Sequence, residues 1–181
     1  MKNMKYLIIA LALTSFAHSK MKEIYSFSSQ SNIKEWRTVN DDVMGGISES
    51  SLRLTSAGYG QFSGHVSLAN NGGFASIQLN TNIQRTEEQK FIVLRVKGDG
   101  KNYEFRLKGS NSQSESYVHP FSTSGEWENI KLAINEFYPQ FRGRKLTIPN
   151  FNFNNIEQLS FLIANKQDED FELLIDRIGL E

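Results

Sequence analysis

Residues 90–108, KFIVLRVKGDGKNYEFRLK, decide the fold class that the sequence predicts. Apolar residues occupy every second position from 92 to 96, a Gly-Asp-Gly turn follows at 98–100, and the alternation resumes from 103 to 107. A period of two is typical of a β-strand that buries one face, and a glycine-rich turn joins neighbouring strands. The stretch therefore predicts a β-hairpin with one apolar face.

The same pattern continues on both sides of this stretch. Further strands are predicted at 48–55, 59–68, 74–79, 116–121, 127–133, 158–164 and 171–178. We expect nine or ten strands in all, with a short helix or turn at 135–141 and another short helix at 154–157. Because each strand is apolar on one side, two sheets must pack face to face. The prediction is an all-β, two-sheet β-sandwich of jelly-roll type, with an immunoglobulin-type Greek key as the open alternative.

The first nineteen residues read as a signal peptide. Lys2 and Lys5 precede an apolar run at 6–16, and Ala17 and Ser19 stand before a cleavage site ahead of residue 20. This run is too short for a span of about 20 residues, so no stable membrane insertion is expected after cleavage. Residues 20–181 contain no linker or repeat and are expected to form one domain. The leader predicts export, to the periplasm or outside the cell.

Composition excludes several classes of chemistry. The 20 basic and 20 acidic residues cancel and form no basic stripe, so no nucleic-acid partner is expected. With no cysteine, disulfides, thiolate metal sites and a cysteine nucleophile are absent. Only His65 and His119 follow the leader, and no G-x-S-x-G motif accompanies them. We therefore predict no catalytic residues, no cofactor and no metal; a hydrolase using Asp41 or Asp42 with His119 remains the weakest alternative.

The most unusual loop spans residues 40–48, NDDVMGGIS. Its carboxylates, amide and glycines suit a hydrogen-bonded turn, a ligand-facing loop or, less well, a calcium site. Arginines on strands could hold a polar ligand by bidentate bonds or pair with Glu104, and an exposed tryptophan could stack on a sugar. The predicted ligand-facing or partner-facing residues are Trp36, Asn40, Asp41, Asp42, Gly45, Gly46, Ser48, Arg95, Arg106 and Arg142.

Four segments carry a resemblance to a known family. They are DDVMGGIS at 41–48, LRVKGDG at 94–100, FYPQFRGR at 137–144 and IDRI at 175–178. Together, and in this order over nearly all of residues 20–181, they resemble the complex I intermediate-associated protein 30 family.

That resemblance implies a galactose-binding-like jelly-roll sandwich and the work of an assembly factor or chaperone without catalysis. The family's mitochondrial members act on complex I from the matrix side, whereas the leader predicts export. We therefore expect a non-enzymatic, exported binding module with an unidentified protein partner or a glycan. A carbohydrate-binding module is the alternative.

Overall fold

The computed structural model describes residues 21–41 and 45–181. Over these residues the strands are β1 Lys22–Ser26, β2 Trp36–Asn40, β3 Glu49–Leu54, β4 Gly60–Val66, β5 Ala75–Gln84, β6 Phe91–Lys97, β7 Asn102–Lys108, β8 Ser116–Ser122, β9 Glu128–Ala133, β10 Tyr138–Phe141, β11 Arg144–Lys145, β12 Asn155–Ile163 and β13 Glu169–Leu180. The helices described are short 3-10 turns at Ile33–Glu35, Ala69–Asn71 and Ile134–Glu136. No helix in the described ranges has the length and apolar character needed to cross a membrane.

The strands form two antiparallel sheets. The six-stranded sheet has the order β3-β4-β13-β6-β9, and β1 pairs with the C-terminal half of β13. The seven-stranded sheet has the order β11-β10-β8-β7-β12-β5-β2. The prediction of an all-β sandwich is confirmed, and its apolar faces meet between the sheets.

The predicted hairpin at residues 90–108 is wrong, although both of its strands exist. Strand β6 lies in the six-stranded sheet and β7 in the seven-stranded sheet, so the turn at 98–100 carries the chain across the sandwich. The Asp99 carboxylate holds this crossover, because it accepts hydrogen bonds from the Tyr103 hydroxyl (2.8 Å) and the Glu172 amide (3.0 Å). The alternating pattern shows which face of a strand is buried. It is the same for a hairpin and for a crossover between sheets, so it cannot distinguish the two connections.

The short helix or turn predicted at 135–141 is found only at its start, and the short helix predicted at 154–157 is wrong. Residues 134–136 form a 3-10 turn, and the chain from Tyr138 onward is strand β10. The segment at 154–157 contains the start of β12. By contrast, the strands predicted at 48–55 and 59–68 do form a hairpin, β3–β4, closed by a hydrogen bond from the Thr55 amide to the Tyr59 carbonyl (2.9 Å).

Aromatic rings fill the space between the sheets. Phe105 and Phe161 lie side by side on β7 and β12, with centroids 4.9 Å apart in an edge-to-face arrangement. Phe62 on the opposite sheet packs edge-to-face on Phe171 at 4.8 Å. Burying such rings stabilises the fold by about 25 cal/mol for each Å² removed from water. Tyr103 on β7 joins the two sheets, because its ring centroid lies 6.4 Å from that of Phe171 on β13. The inner faces are thus packed together, which leaves the outer faces free to carry a site.

Candidate functional site

The outer face of the seven-stranded sheet carries a groove of about 620 Å³, called here the polar groove. One row of neighbouring residues crosses it: Arg37 on β2 lies beside Gln78 on β5, which pairs with Ser160 on β12, which pairs with Arg106 on β7. The central strands β5 and β12 contribute serines, whereas the flanking strands contribute arginines. The short side chains of Ser76 and Ser160, lower than the long arginine side chains at the sides, account for the depression.

The lining of the polar groove is cationic. Arg37, Arg106, Lys108 and Arg142 contribute to it, and no aspartate or glutamate of the described residues does so. Arg37 donates to the Gln78 side-chain oxygen (2.6 Å), and Lys108 donates to a backbone carbonyl (2.8 Å). Arg106 is paired with Glu104, which accepts from its Nε at 2.9 Å and its Nη2 at 2.5 Å. Hydrogen bonds thus fix several of these cations in place.

Arg142 enters the groove from the turn between β10 and β11. Phe141 pairs with Arg144, so Arg142 and Gly143 are the two central residues of a tight hairpin. Both have positive φ, 47° and 75°, as a type I′ turn requires. Asparagine or glycine adopts this conformation more readily than arginine. The turn therefore holds a long cationic side chain at a position where the backbone favours a smaller residue.

A buried carboxylate forms the corner next to the groove. Asp41 follows β2, is 7% exposed, and accepts hydrogen bonds at Oδ2 from the Gly73 amide (2.5 Å) and the Phe74 amide (3.2 Å). It also accepts from the Ser48 amide (3.1 Å) and the Ser48 hydroxyl (2.5 Å). Gly73 and Phe74 line the polar groove. Asp41 therefore fixes the backbone of one groove wall while its own oxygens face away from any ligand.

Close contact explains the glycines around this carboxylate. A side-chain carbon at Gly46 would collide with the Asp41 carboxylate, and one at Gly72 would lie 2.6 Å from its Oδ2. Burial by itself would raise the pKa of Asp41, but the hydrogen bonds from Ser48, Gly73 and Phe74 outweigh it and hold the pKa below its ordinary value. Asp41 is therefore an ionised structural group at neutral pH.

The structure brings only two of the sequence-predicted site residues into the groove itself. Arg106 and Arg142 line it, whereas Asp41, Gly46 and Ser48 build the corner beside it. Gly45 lies in the same loop with a φ of 85° and does not line the groove. Asn40 accepts a hydrogen bond from the Ser50 hydroxyl (2.6 Å). Asp42 lies outside the described residues.

Two predicted residues lie elsewhere. Trp36 is 6% exposed and packs in the core, with its ring 5.7 Å from that of Phe27. Arg95 lies on the six-stranded sheet, where its Nε is 3.3 Å from an Asp176 oxygen and its guanidinium is 5.6 Å from the Trp127 ring. The structure therefore separates Arg95 from Arg106 and Arg142.

Sequence reasoning missed Arg37, Gln78, Lys108 and Gln158, which also line the groove. Each is a polar residue at an outward position of a strand, which is the pattern of any solvated sheet face. Only the pairing of their strands makes them neighbours. The sequence carried no separate signal for them.

Asp41 and His119, the described residues proposed for a hydrolase, do not meet. Asp41 follows β2 and His119 lies on β8, four strand spacings away in the same sheet, or about 19 Å. The His119 ring instead contacts Phe137 and is hydrogen-bonded through Nδ1 to the Pro120 carbonyl (2.8 Å). His65 lies on the other sheet beside Asp170. The described residues contain no cluster of three or more His, Cys, Asp or Glu that could hold a metal ion.

Solved structures with a similar fold are carbohydrate-binding and agarase chains. A family 11 carbohydrate-binding module from Clostridium thermocellum, in complex with a β-1,3-1,4-mixed-linked tetrasaccharide, has a TM-score of 0.63 and 15% identity, covering 88% of this chain and 94% of that one. An agarase matches with a TM-score of 0.59 and 12% identity, over 89% of this chain and 24% of its own. These likenesses confirm the jelly-roll β-sandwich.

Curated relatives correct the predicted location. The probable complex I intermediate-associated protein 30, mitochondrial, of Caenorhabditis elegans is 25% identical over 90% of this chain and 55% of its own length. The Drosophila melanogaster protein of that name is 25% identical over 87% and 62%. The chain thus spans about half the length of the curated relatives it matches. The prediction of a periplasmic or secreted protein is contradicted by these mitochondrial names.

The predicted export rested on residues 1–19, and both the leader and its cleavage site lie outside the described residues. Positive charge near the N-terminus is shared by secretory and mitochondrial targeting segments, so it separated the two poorly.

The family resemblance found in the sequence is confirmed. The family model described as complex I intermediate-associated protein 30 matches residues 25–175, which include all four segments that suggested it except the last three residues of the fourth. With its two antiparallel sheets and its match over most of its length, this chain belongs to the complex I intermediate-associated protein 30 family.

Proposed function

We propose that this chain is a non-enzymatic binding protein that holds a protein partner in the polar groove, in the manner of an assembly factor. The observation that carries the proposal is the lining itself: serines, amides and cations from five strands of one sheet face and from two of its loops. Such groups donate and accept hydrogen bonds in fixed directions, which is what recognition of a polar surface requires.

The same lining lacks the groups that would transfer protons. General acid–base catalysis needs a titratable side chain within about 3 Å of the reacting atom. The groove-lining residues of the described chain include no histidine, aspartate, glutamate or tyrosine, and Lys108 is already donating to the Gln113 carbonyl. Arginine does not release its proton at physiological pH. These groups can orient and hold a ligand.

Membership of the family supports a protein as the ligand. The relatives' names describe association with an intermediate of complex I, a property of those proteins. An assembly factor must bind a protein that is later released, which suits an open and polar groove better than an apolar one. We carry the binding role over to this chain and leave the identity of its partner to experiment.

Carbohydrate binding is the second candidate, because the fold is shared with a module that holds a tetrasaccharide. A groove of about 620 Å³ is large enough for an oligosaccharide. However, Phe74 is the single aromatic residue among the described lining residues, whereas sugar rings are usually held on aromatic faces. The lining therefore favours a peptide ligand over a neutral glycan.

Site-specific photo-crosslinking tests the proposal. A photoreactive amino acid replaces Gln158, which lines the groove, and in a matched variant it replaces Gln61, which lies on a strand of the other sheet. We expect a protein adduct from the Gln158 variant and none from the Gln61 variant. Equal adducts from both positions, or none from either, would overturn the assignment of the groove.

The glycan alternative has its own measurement. Amide chemical shifts of the isotopically labelled protein are followed while a mixed-linked β-glucan tetrasaccharide or a trigalacturonate is added. Shifts confined to β5, β7 and β12 would favour the carbohydrate reading. Unchanged spectra with both sugars would remove it and leave the protein ligand.

A further inference from the structure

We infer that the polar groove binds an extended, acidic segment of its protein partner, in which two carboxylates stand four residues apart. The inference rests on the proposed function and names the chemistry of its ligand. It follows from three features of the groove: its unneutralised charge, the distance between its arginines, and the unusual backbone of Arg142.

The charge of the groove is not balanced by its own residues. Of the four cations that line it, only Arg106 forms an ion pair within the described part of the chain, with Glu104. Arg37 and Lys108 are directed by neutral oxygens, and Arg142 lies over the Phe141 ring at 5.3 Å. Glu35 lies near Arg37 in an adjoining depression. A carboxylate arriving from outside would therefore meet three cations, Arg37, Lys108 and Arg142, to which the described residues supply no ion-pair partner.

The spacing of the arginines suits an extended chain. Arg37 and Arg106 occupy the same row, three strand spacings apart, which is about 14 Å. Four residues of extended chain cover about 13 Å, and residues four apart project from the same side. Two acidic residues at that spacing would reach both arginines at once, one at Arg37 and the other at Arg106 Nη1, which makes no hydrogen bond within the described residues while Nε and Nη2 hold Glu104. Adjacent acidic residues would point to opposite sides, and only one of them could enter the groove.

The floor between the arginines provides hydrogen-bonding groups for the ligand's backbone. Gln78 and Ser160 lie between them in the row, and Ser160 is 6% exposed at the bottom. A peptide crossing this row would present its amides and carbonyls to a side-chain amide and a hydroxyl. Both groups act as donors and as acceptors.

Arg142 gives a way to separate binding from stability. With a φ of 47°, arginine occupies a backbone conformation that costs a non-glycine residue roughly 1 kcal/mol and that asparagine tolerates better. Replacing Arg142 by asparagine should therefore leave the hairpin as stable as before or slightly more so. It removes only the guanidinium from the groove wall.

The test uses two heptapeptides of identical composition and charge, SESTSES and SEESTSS. The first carries its glutamates four residues apart and the second carries them adjacent. Each is added to the isotopically labelled protein at low salt, and dissociation constants are taken from amide chemical shifts. We expect SESTSES to bind about fivefold more tightly, the effect of one exposed ion pair, with shifts concentrated in β5, β7 and β12.

Variants then locate the charges that matter. R37Q, R106Q and R142N should each weaken SESTSES about fivefold, whereas R53Q, on a strand of the other sheet, should leave it unchanged. Thermal unfolding should show R142N to be at least as stable as the parent protein. Equal affinities for the two peptides, or equal losses in R53Q and R142N, would overturn the inference.

Failure of this inference differs from failure of the proposed function. If the crosslinker at Gln158 still captures a protein while R37Q and R142N leave that capture unchanged, the groove binds a partner without reading acidic residues. If no protein is captured there, the proposed function itself fails.

Discussion

Replacing Asp41 by alanine should destabilise the fold by about 3 kcal/mol, a large effect for a residue outside the hydrophobic core. The carboxylate accepts four hydrogen bonds: two from Ser48, one from Gly73 and one from Phe74. Each hydrogen bond to a buried charged acceptor contributes about 1–2 kcal/mol, and donors left without a partner add to the loss. The Asp41 side chain also joins the end of β2 to the β3–β4 hairpin, so two sheets depend on it.

Two compensations make the expected loss of stability smaller than the sum of the four hydrogen bonds. The Ser48 hydroxyl can still donate to the Ser67 carbonyl at 3.3 Å. The amides of Gly73 and Phe74 are half-buried, so water can replace part of what they lose. These two compensations bring the expected loss to the range of about 2–4 kcal/mol. In D41N one oxygen remains as an acceptor, but an NH2 group replaces the other oxygen and faces the donors that were bonded to it. D41N should therefore cost about 2 kcal/mol.

Urea denaturation followed by tryptophan fluorescence measures both effects. Trp36 begins the strand that ends next to Asp41, and its burial makes its emission a sensitive probe of unfolding. The matched control is D170N, because the Asp170 side chain is 92% exposed and, among residues 21–41 and 45–181, pairs only with His65. D170N should change the free energy of unfolding by less than about 0.5 kcal/mol. A D41A variant within 1 kcal/mol of the parent would refute the structural role assigned to Asp41.

Three further results are expected for the carboxylates of Asp41 and Asp99 and their neighbours. Burial would raise the pKa values of Asp41 and Asp99, but hydrogen bonds outweigh it and hold both below the ordinary 3.8. As the pH falls, the unfolded chain therefore takes up protons before the folded one, and the free energy of unfolding should fall from about pH 5 downward. Urea titrations at several pH values should show a less steep fall in D41N and D99N. G72A should lower the free energy of unfolding by about 1–3 kcal/mol, because its methyl group meets the Asp41 oxygen. In urea titrations the G72A/D41A double variant should lose less stability than the sum of the two single losses, and strict additivity would contradict that contact. D99A should cost about 2 kcal/mol in the same assay, because the Glu172 amide loses its acceptor and the Tyr103 hydroxyl keeps only the Glu172 carbonyl (3.1 Å). A loss no larger than that of D170A would show that the crossover at 98–100 does not depend on Asp99.

The strands could be predicted from the sequence because alternation records burial directly. Residues 103–107 alternate between buried and half-buried as predicted, and residues 92–96 form a strand in which Val93 is buried as well as Ile92, Leu94 and Val96. Alternation does not record which sheet a strand joins. The short strands β10 and β11 have four and two residues, too few for a period of two to stand out.

Because alternation does not show which sheet a strand joins, the predicted site combined residues that the structure separates. Arg95 and Arg106 both point outward from their strands, and a hairpin at 98–100 would have put them on the same face of one sheet. The chain instead crosses the sandwich at that turn, so the two arginines lie on opposite outer surfaces. Arg106 and Arg142 meet because β7, β8 and β10 are neighbours in the seven-stranded sheet, a pairing set by long-range contacts that no local pattern contains.

The loop at 40–48 affects the groove through the backbone. Every hydrogen bond that Asp41 accepts comes from the chain itself, and the glycines at 46 and 72 leave room for its carboxylate. Two of those donors are the amides of Gly73 and Phe74, which form part of the groove wall. A change at Asp41 should therefore alter ligand binding by moving that wall, while the arginines keep their positions across the sheet. Loss of affinity in D41N should be accompanied by amide shift changes at residues 72–74, whereas the loss in R142N should leave those amides where they are.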